Sequence, residues 1–559
     1  MIQTHHLILV LLAIAAASHT ALGQEAPPAA GQAASSTLTE DGPETDTGVQ
    51  EEKQPKEPFY ASPYLPLGSW EYSILDYWIS AGRINSLSPF VQPWRRMDVA
   101  RALADMDESK LGGGEKDWLE RLWKSFAPEL SLLERPRSQD VSVSLELAGG
   151  AQLASQTHRD PLRPELEGEF SDAELLEDFR VEADGAAGPV AGAFRLRRHG
   201  IYRNDAQFPD GRVVPELDNV FGGEMSVRVE EAYLEFQSRY ARVGFGSMYR
   251  NWGLPNLDGF LRSSYAYSEE EISYRVGTDR IYLVGMFASY GDYRADTTHY
   301  VAIHRLEIRP IDDLLISVSE SSVHGGPDQS LDWKLVNPVG IWQIARRDAD
   351  PPYNKLGQVD VWWRTGLGFN VYGSLLADAT NDNESCCQMG GNLGFEIPRV
   401  APGLLLRGNF SAIQSLAYTP NSPDVPWEQY TVERIGIGWD KADLYLLSVE
   451  VEWFPSAGLW LRPKLDLQIR GAFDIRDDRP PPETLPDWPR ILVGDAETTL
   501  RPALEGRWRS DWQLPLEVEW DVGVNFISDY ANVAGDNRTE LVGNIAVRLR
   551  TPRWNFGLK

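Results

Sequence analysis

Leu459-Trp-Leu-Arg-Pro-Lys-Leu-Asp-Leu-Gln-Ile-Arg470 decides the fold class. Leu459, Leu461, Leu465, Leu467 and Ile469 fall on one side of an extended chain, and Arg462, Lys464, Asp466, Gln468 and Arg470 on the other. Successive strand side chains point to opposite faces, so the segment is a ribbon with one oily and one charged side. Leu516-Glu-Val-Glu-Trp-Asp-Val-Gly-Val-Asn-Phe526 repeats the pattern, as do Val141 to Leu147 and, less cleanly, Leu404 to Phe410. The pattern recurs over roughly 400 residues with few helical interludes. This predicts a mainly β protein, a transmembrane antiparallel barrel that is oily outside and wet inside, of roughly 16–18 strands.

The beginning of the chain fits export. Leu7 to Ala17 is an apolar run followed by Ala21-Leu-Gly23, a small-x-small cleavage pattern, so residues 1–23 are read as a signal peptide. Its first residues carry His5 and His6 in place of the usual Lys or Arg. No other stretch reaches about 18 uninterrupted apolar residues, which argues against a helical membrane protein. The expected location is the outer membrane of a Gram-negative cell envelope, in contact with its lipid and lipopolysaccharide. Nineteen Trp and 21 Tyr suit the interfacial girdles of such a barrel. A net charge of −29 repels phosphates and argues against a nucleic-acid partner. Cys386 and Cys387 are adjacent, with no metal-ligand pattern around them, and are read as a loop thiol pair. Neither a cofactor nor a metal is expected.

Residues 24–58 are rich in Pro, Ala, Gln, Ser, Thr and Glu and have nothing apolar to bury, which predicts a disordered linker. Residues 59–135 read as a small helical domain. Trp70, Ile74, Tyr77 and Trp78 share helical spacing, Gly82 can stop that helix, and Asp98–Ala104 and Trp118–Lys124 read as two more. Residues 136–559 are assigned to the barrel. Pro66 to Ile84 and Pro93 to Leu103 resemble one S-layer-homology-type unit, which implies binding to periplasmic cell-wall glycan. The alternative, preferred on the residues, is a helical plug packed against the periplasmic mouth.

The block Tyr240–Pro338 is the most distinctive. Val243 to Gly253 carries a strand into a Trp252-Gly253 turn. His304-Arg305-Leu306, Glu320 on the following strand, and Val336-Asn337-Pro338 then appear in order. This succession resembles the capsule assembly Wzi family of outer-membrane barrels, with Val336 standing where that family carries Leu. The resemblance spans about residues 59–559 and is most specific in this block. It implies a surface lectin that binds capsular or other surface polysaccharide and supports capsule assembly and attachment.

Sugar binding calls for aromatic faces that stack on rings and for Arg or Asn side chains that bond hydroxyls and carboxylates. Arg250, Trp252, His304, Arg305, Glu320, Trp333 and Asn337 supply such groups, and Arg250, Trp252 and Arg305 are expected to meet at an extracellular rim. A structural role competes at each: an Arg250–Glu320 ion pair in the lumen, a girdle position for Trp252, turns at Asn337 and Pro338. Inward Arg462, Lys464 and Arg470 face Glu450, Glu452, Glu517, Glu519 and Asp521, and such pairing would crowd the pore. The alternative function is a porin for sugars or anions whose helical unit binds the wall. No zincin, nucleophile-elbow or P-loop motif occurs, so an enzyme is not expected.

Overall fold

Alternation at a period of two becomes strand almost wherever the sequence carries it. The computed structural model describes residues 59–134, 141–155, 162, 174–201, 224–264, 268–292, 297–327, 335–337, 353–379, 388–420, 422–432 and 435–558. The expected signal peptide and linker, Trp333, Pro338 and the Cys386–Cys387 pair lie outside these residues.

The first strands are β1 Val141–Ser155, β2 Glu174–Ala187, β3 Val190–Ile201, β4 Glu224–Gln237, β5 Ala241–Ser247, β6 Glu270–Gly277 and β7 Ile281–Asp292. They are followed by β8 Thr297–Ile311, β9 Leu314–Gly326, β10 Asn354–Arg364, β11 Asn370–Ala379, β12 Gln388–Ala401 and β13 Leu404–Ile413. A two-residue hairpin comes next, β14 Thr431–Val432 with β15 Ile435–Gly436. The last are β16 Leu444–Ser456, β17 Leu459–Arg470, β18 Glu497–Arg509, β19 Leu516–Ser528, β20 Arg538–Arg550 and β21 Trp554–Leu558.

Apart from the hairpin and the step from β20 to β21, each strand pairs antiparallel with the next, β13 passing directly to β16. The ring closes where β1 pairs with β20, Gly149 opposite Leu549, and with β21, Val143 opposite Phe556. The sheet's nineteen strands fill eighteen positions, because β20 and β21 are successive parts of one wall element. Closure leaves no unpaired edge, which is the condition for spanning a bilayer with strands.

The barrel is inside out relative to a water-soluble protein. Leu465 is 47% exposed while its neighbour Asp466 is 4% exposed. Leu234 and Phe245 stand outward, and Glu235, Asp360 and Arg407 are buried inside. Only a hydrocarbon solvent makes that arrangement favourable, so the chain is an outer-membrane β-barrel. Exposed Tyr240, Trp363, Trp453 and Trp554 stand at strand ends beside the short turns, as an interfacial girdle requires. Connections at that end, such as 188–189, 312–313, 402–403 and 457–458, have two residues; several at the other end are far longer, 414–443 among them. Short turns mark the periplasmic side of such barrels.

Among the described residues four α-helices precede the wall: α1 Glu71–Ser80, α2 Arg96–Ala104, α3 Gly113–Ser125 and α4 Ala127–Glu134. Three coincide with the expected ones and α4 is additional. Gly82 follows α1 at φ +69°, a left-handed conformation that reverses the chain at low cost only without a Cβ. The helices insert into the short-turn mouth. Trp78, Trp118 and Leu122 are buried in one cluster with Trp362, Tyr372, Leu405 and Phe454 of the wall. Arg121 donates to the carbonyls of Ala457 (2.6 Å) and Arg509 (3.0 Å), tying α3 to two strand ends.

Candidate functional site

The residues singled out from the sequence divide between the two faces of the wall. Arg250, just past β5, is buried in the lumen with its guanidinium 2.6 Å from Glu271 on β6. An inward ion pair is therefore present, but its acid is Glu271 and not Glu320. Arg305 is also inside, 2.8 Å from Asp360 and 3.3 Å from the Ser319 hydroxyl, with the Phe90 ring of the helical unit 5.1 Å from its guanidinium. Trp252 is 1% exposed, wrapped in an inward-folded loop, so its faces are not open to a ring and it holds no girdle position. The expected rim of Arg250, Trp252 and Arg305 is not formed: all three are buried among side chains of the lumen.

His304 precedes Arg305 and therefore points the opposite way. Its ring lies 2.5 Å from the Tyr274 hydroxyl and 3.2 Å from the Leu335 carbonyl. Tyr274 reaches it by lying across Gly285, where a Cβ would sit 2.5 Å from the hydroxyl oxygen. Glu320 is paired in register with His304 and is buried on that same outer face. Asn337 is exposed, two residues beyond Leu335. His304, Glu320 and the 335–337 segment thus gather on the outer wall, away from Arg250 and Arg305.

Inside, two regions differ in kind. From β5 round to β17 the lumen is filled. Trp252, Phe260 and Leu261 from the 248–263 loop pack with Tyr418, Tyr430, Val432, Ile437 and Trp439 from the 414–443 connection. Tyr430 donates to the Leu261 carbonyl (2.8 Å) and accepts from the Ser321 hydroxyl (2.6 Å), and Tyr418 donates to the Phe260 carbonyl (3.0 Å). Beneath them Arg407, wholly buried, is held by Glu396 (2.7 Å), Glu450 (3.5 Å) and Glu452. The helical unit bonds to this wall through Ser80–Glu396 (2.8 Å), Ser88–Glu307 (2.9 Å) and Asp98–Arg242 (3.1 Å). Burial alone would raise the Asp98 carboxyl, but Arg95 and Arg242 beside it hold it well below the usual carboxylate range.

From β18 through β20 to β2 the lumen is wet. A cavity of about 1350 Å3 opens at the short-turn mouth between the helical unit and the wall. Charge pairs line it: Arg550 with Glu146 (2.9 Å) and Glu517 (2.6 Å), Arg507 with Glu519 (2.6 Å), and Arg553 with Asp184. Deeper, Asp178 takes Arg180 (3.0 Å), Arg197 (2.8 Å) and Arg548 (2.7 Å). Trp70 adds an indole face, with Arg121 and Arg509 guanidinium carbons 5.1 and 5.4 Å from its ring, and Trp512 stands at the rim, while Trp508, in register with Leu459, belongs to the outward face. Paired guanidinium and carboxylate groups offer donors and acceptors side by side, the chemistry that holds a polyhydroxyl chain.

The expected inward charges on β17 are inward. Arg462 meets Glu450 (3.7 Å) as read from the sequence, and also Glu505. Lys464 meets Asp466 (3.2 Å) and Arg470 meets Asp474, while Glu517 and Glu519 are taken by arginines of β18 and β20.

These features define an outer-membrane barrel of porin size whose interior is largely occupied by its own chain. Among solved structures the chain is similar to Wzi of Escherichia coli, an outer-membrane protein involved in group 1 capsule assembly and described as a carbohydrate-binding β-barrel. The TM-score is 0.59 at 13% identity, covering 89% of this chain and all of that one. The fold of this chain is that of Wzi, in agreement with the resemblance read from the Tyr240–Pro338 block. Looser likenesses are to OccAB2 of Acinetobacter baumannii (TM-score 0.40, 9% identity, 74% of this chain and 98% of that one) and a BenF-like porin of Pseudomonas fluorescens (0.43, 9%, 75% and 99%). No family model and no curated protein matches the sequence.

Proposed function

We propose that this chain is an outer-membrane lectin that binds a surface polysaccharide and supports its assembly and attachment as a capsule. The observation that carries the reading is the packed lumen from β5 to β17, where helices, loops and ion pairs occupy the space a diffusion pore keeps open. A binding scaffold gains rigidity from such filling; a porin for sugars or anions loses its conduit. The shared fold with a carbohydrate-binding barrel supports the same choice.

In this reading Leu7–Ala17 directs export, and the exposed apolar belt meets outer-membrane lipid and lipopolysaccharide. The wet cavity is the glycan-facing part of the interior, with Trp70 and Trp512 as stacking faces. It opens on the periplasmic side, where an exported chain arrives before it is attached. Arg250, Trp252, His304 and Arg305 hold the scaffold and do not touch sugar. Asn337, exposed, is a candidate for direct contact. The burial of Tyr77 and Trp78 against Phe454 and Trp118 favours a plug role for residues 59–135 over capture of cell-wall glycan.

The test compares cell-bound with shed polysaccharide in a strain lacking the protein, complemented by wild type or by Trp70→Ala with Trp512→Ala. Loss of retention in the deletion, full rescue by wild type and partial rescue by a heat-modifiable double variant are expected. Unchanged retention in the deletion, with no binding of purified protein to that polysaccharide, rejects the lectin reading.

A further inference from the structure

Arg262 is the most anomalous charge among the described residues. It lies on the inward loop between β5 and β6, its residue is 0% exposed, and its Nε, Nη1 and Nη2 have no hydrogen-bond acceptor among the described residues. A guanidinium carries five donors and does not give up its charge in proteins, so burial leaves it uncompensated where it stands. Three other buried arginines have acids: Arg250 has Glu271, Arg305 has Asp360, Arg407 has three glutamates, while Arg309 and Arg479 donate to the carbonyls of Leu87 and Pro420. Among the acids near the loops, Asp440 is taken by Arg476 and Glu271 by Arg250, and no acid forms an ion pair with Arg262 among the described residues.

Two further donors around Arg262 are in the same state. Trp252 Nε1 and Tyr290 Oη are buried and have no partner among the described residues. Trp252 lies beside Arg262 in the loop, its amide donating to the Arg262 carbonyl at 2.9 Å. Gly259 is pressed against both carbonyls, where a Cβ would come within 2.4 Å of each oxygen. Tyr290 belongs to the same buried cluster as Trp252 and Leu261. Indole is a donor only and guanidinium is a donor only. A buried region with this donor set calls for an acceptor that carries negative charge; water would satisfy the bonds and leave the charge.

We propose that Arg262, Trp252 Nε1 and Tyr290 Oη bind one small monovalent anion, chloride in size, beneath the inward loop. The enclosure argues for a halide over a carboxylate on a polymer, which would have to thread the packed loops. The anion neutralises Arg262 and thereby latches the 248–263 loop onto the 414–443 connection. The inference is independent of the lectin reading, because any function that keeps these loops folded inward needs the charge balanced.

The experiment is thermal unfolding of the full chain in detergent at constant ionic strength, with methanesulfonate replaced stepwise by chloride, bromide or acetate. Chloride and bromide should raise Tm along a saturating curve. Arg262→Met should lose that dependence and melt higher than wild type in the halide-free buffer, because its unpaired charge is gone. Tyr290→Phe, which removes one donor and keeps the ring, should shift half-saturation about tenfold toward higher chloride; it serves if Arg262→Met does not assemble. Crystals grown in bromide should give an anomalous peak within hydrogen-bond reach of Arg262. A flat wild-type response to both halides, an unchanged dependence in either variant, or no bromide at the site overturns the proposal. A Tm raised by acetate alone overturns the halide assignment in favour of a carboxylate.

Discussion

Under β5 to β17 and under β18 to β2 the wall offers the lumen the same residue types, arginines and glutamates, yet their surroundings are opposite. On the first side Arg407 is sealed beneath aromatic loops and the helical unit, with Glu396, Glu450 and Glu452 as its surroundings. On the second, Arg550 meets Glu146 and Glu517 at the border of a 1350 Å3 cavity. Water is what differs. Desolvated pairs are rigid parts whose loss leaves stranded charge; solvated pairs exchange partners with water and can exchange them with a ligand. The packed half is the frame, and the wet half is where, on the proposed reading, glycan chemistry has room.

The largest expected effect tests the frame. Arg407→Ala leaves three buried carboxylates facing one another and should cost about 3–5 kcal/mol, read as a lowered melting temperature of the heat-modifiable form. Trp252→Ala should cost about 3 kcal/mol through the cavity it leaves between the two loops. Paired with Arg250→Ala, it should reduce polysaccharide retention only together with folded barrel. Retention lost at full heat-modifiability would return these residues to the binding surface.

A smaller effect depends on pH. Burial pushes the Asp76 carboxyl on α1 up to about 8, with Arg407 opposing and Glu452 and Glu396 reinforcing the shift. The folded chain then holds a proton that the unfolded chain releases above 3.8, so stability falls as pH rises from there through about 8. Asp76→Asn should match wild type near pH 4, at about the unfolded value, and melt higher above about pH 8. Equal melting curves at both ends would mean that water reaches Asp76.

The smallest effect belongs to the wet half: Arg550→Ala should cost less than Arg407→Ala, because the cavity lets water reach Glu146, whose side chain is 22% exposed. A cost like that of Arg407→Ala would erase the difference between the halves.

Much of the frame was legible. Period-two alternation located the wall, and the helical spacing of Trp70, Ile74, Tyr77 and Trp78 located α1. The α4 helix was missed because Pro-Glu-Leu-Ser-Leu-Leu has no clean apolar stripe. The opposite orientation of His304 and Arg305 follows from alternation itself, and grouping them at one site overlooked it. Partner choice was not legible. Glu271 and Asp360 are 21 and 55 residues from Arg250 and Arg305, and only barrel curvature and register decide which acid faces which arginine. The inward loops left a compositional trace, since Phe260, Leu261, Leu416, Tyr418, Tyr430 and Trp439 are too apolar for solvated connections. That trace says the loops bury themselves without saying where.

Planar-bilayer recording of the purified full-length protein tests the central claim most directly. A barrel whose lumen is closed by its own helices and loops should give small or absent steady current at either polarity. A large, stable, ohmic channel would contradict the account and make the chain a porin.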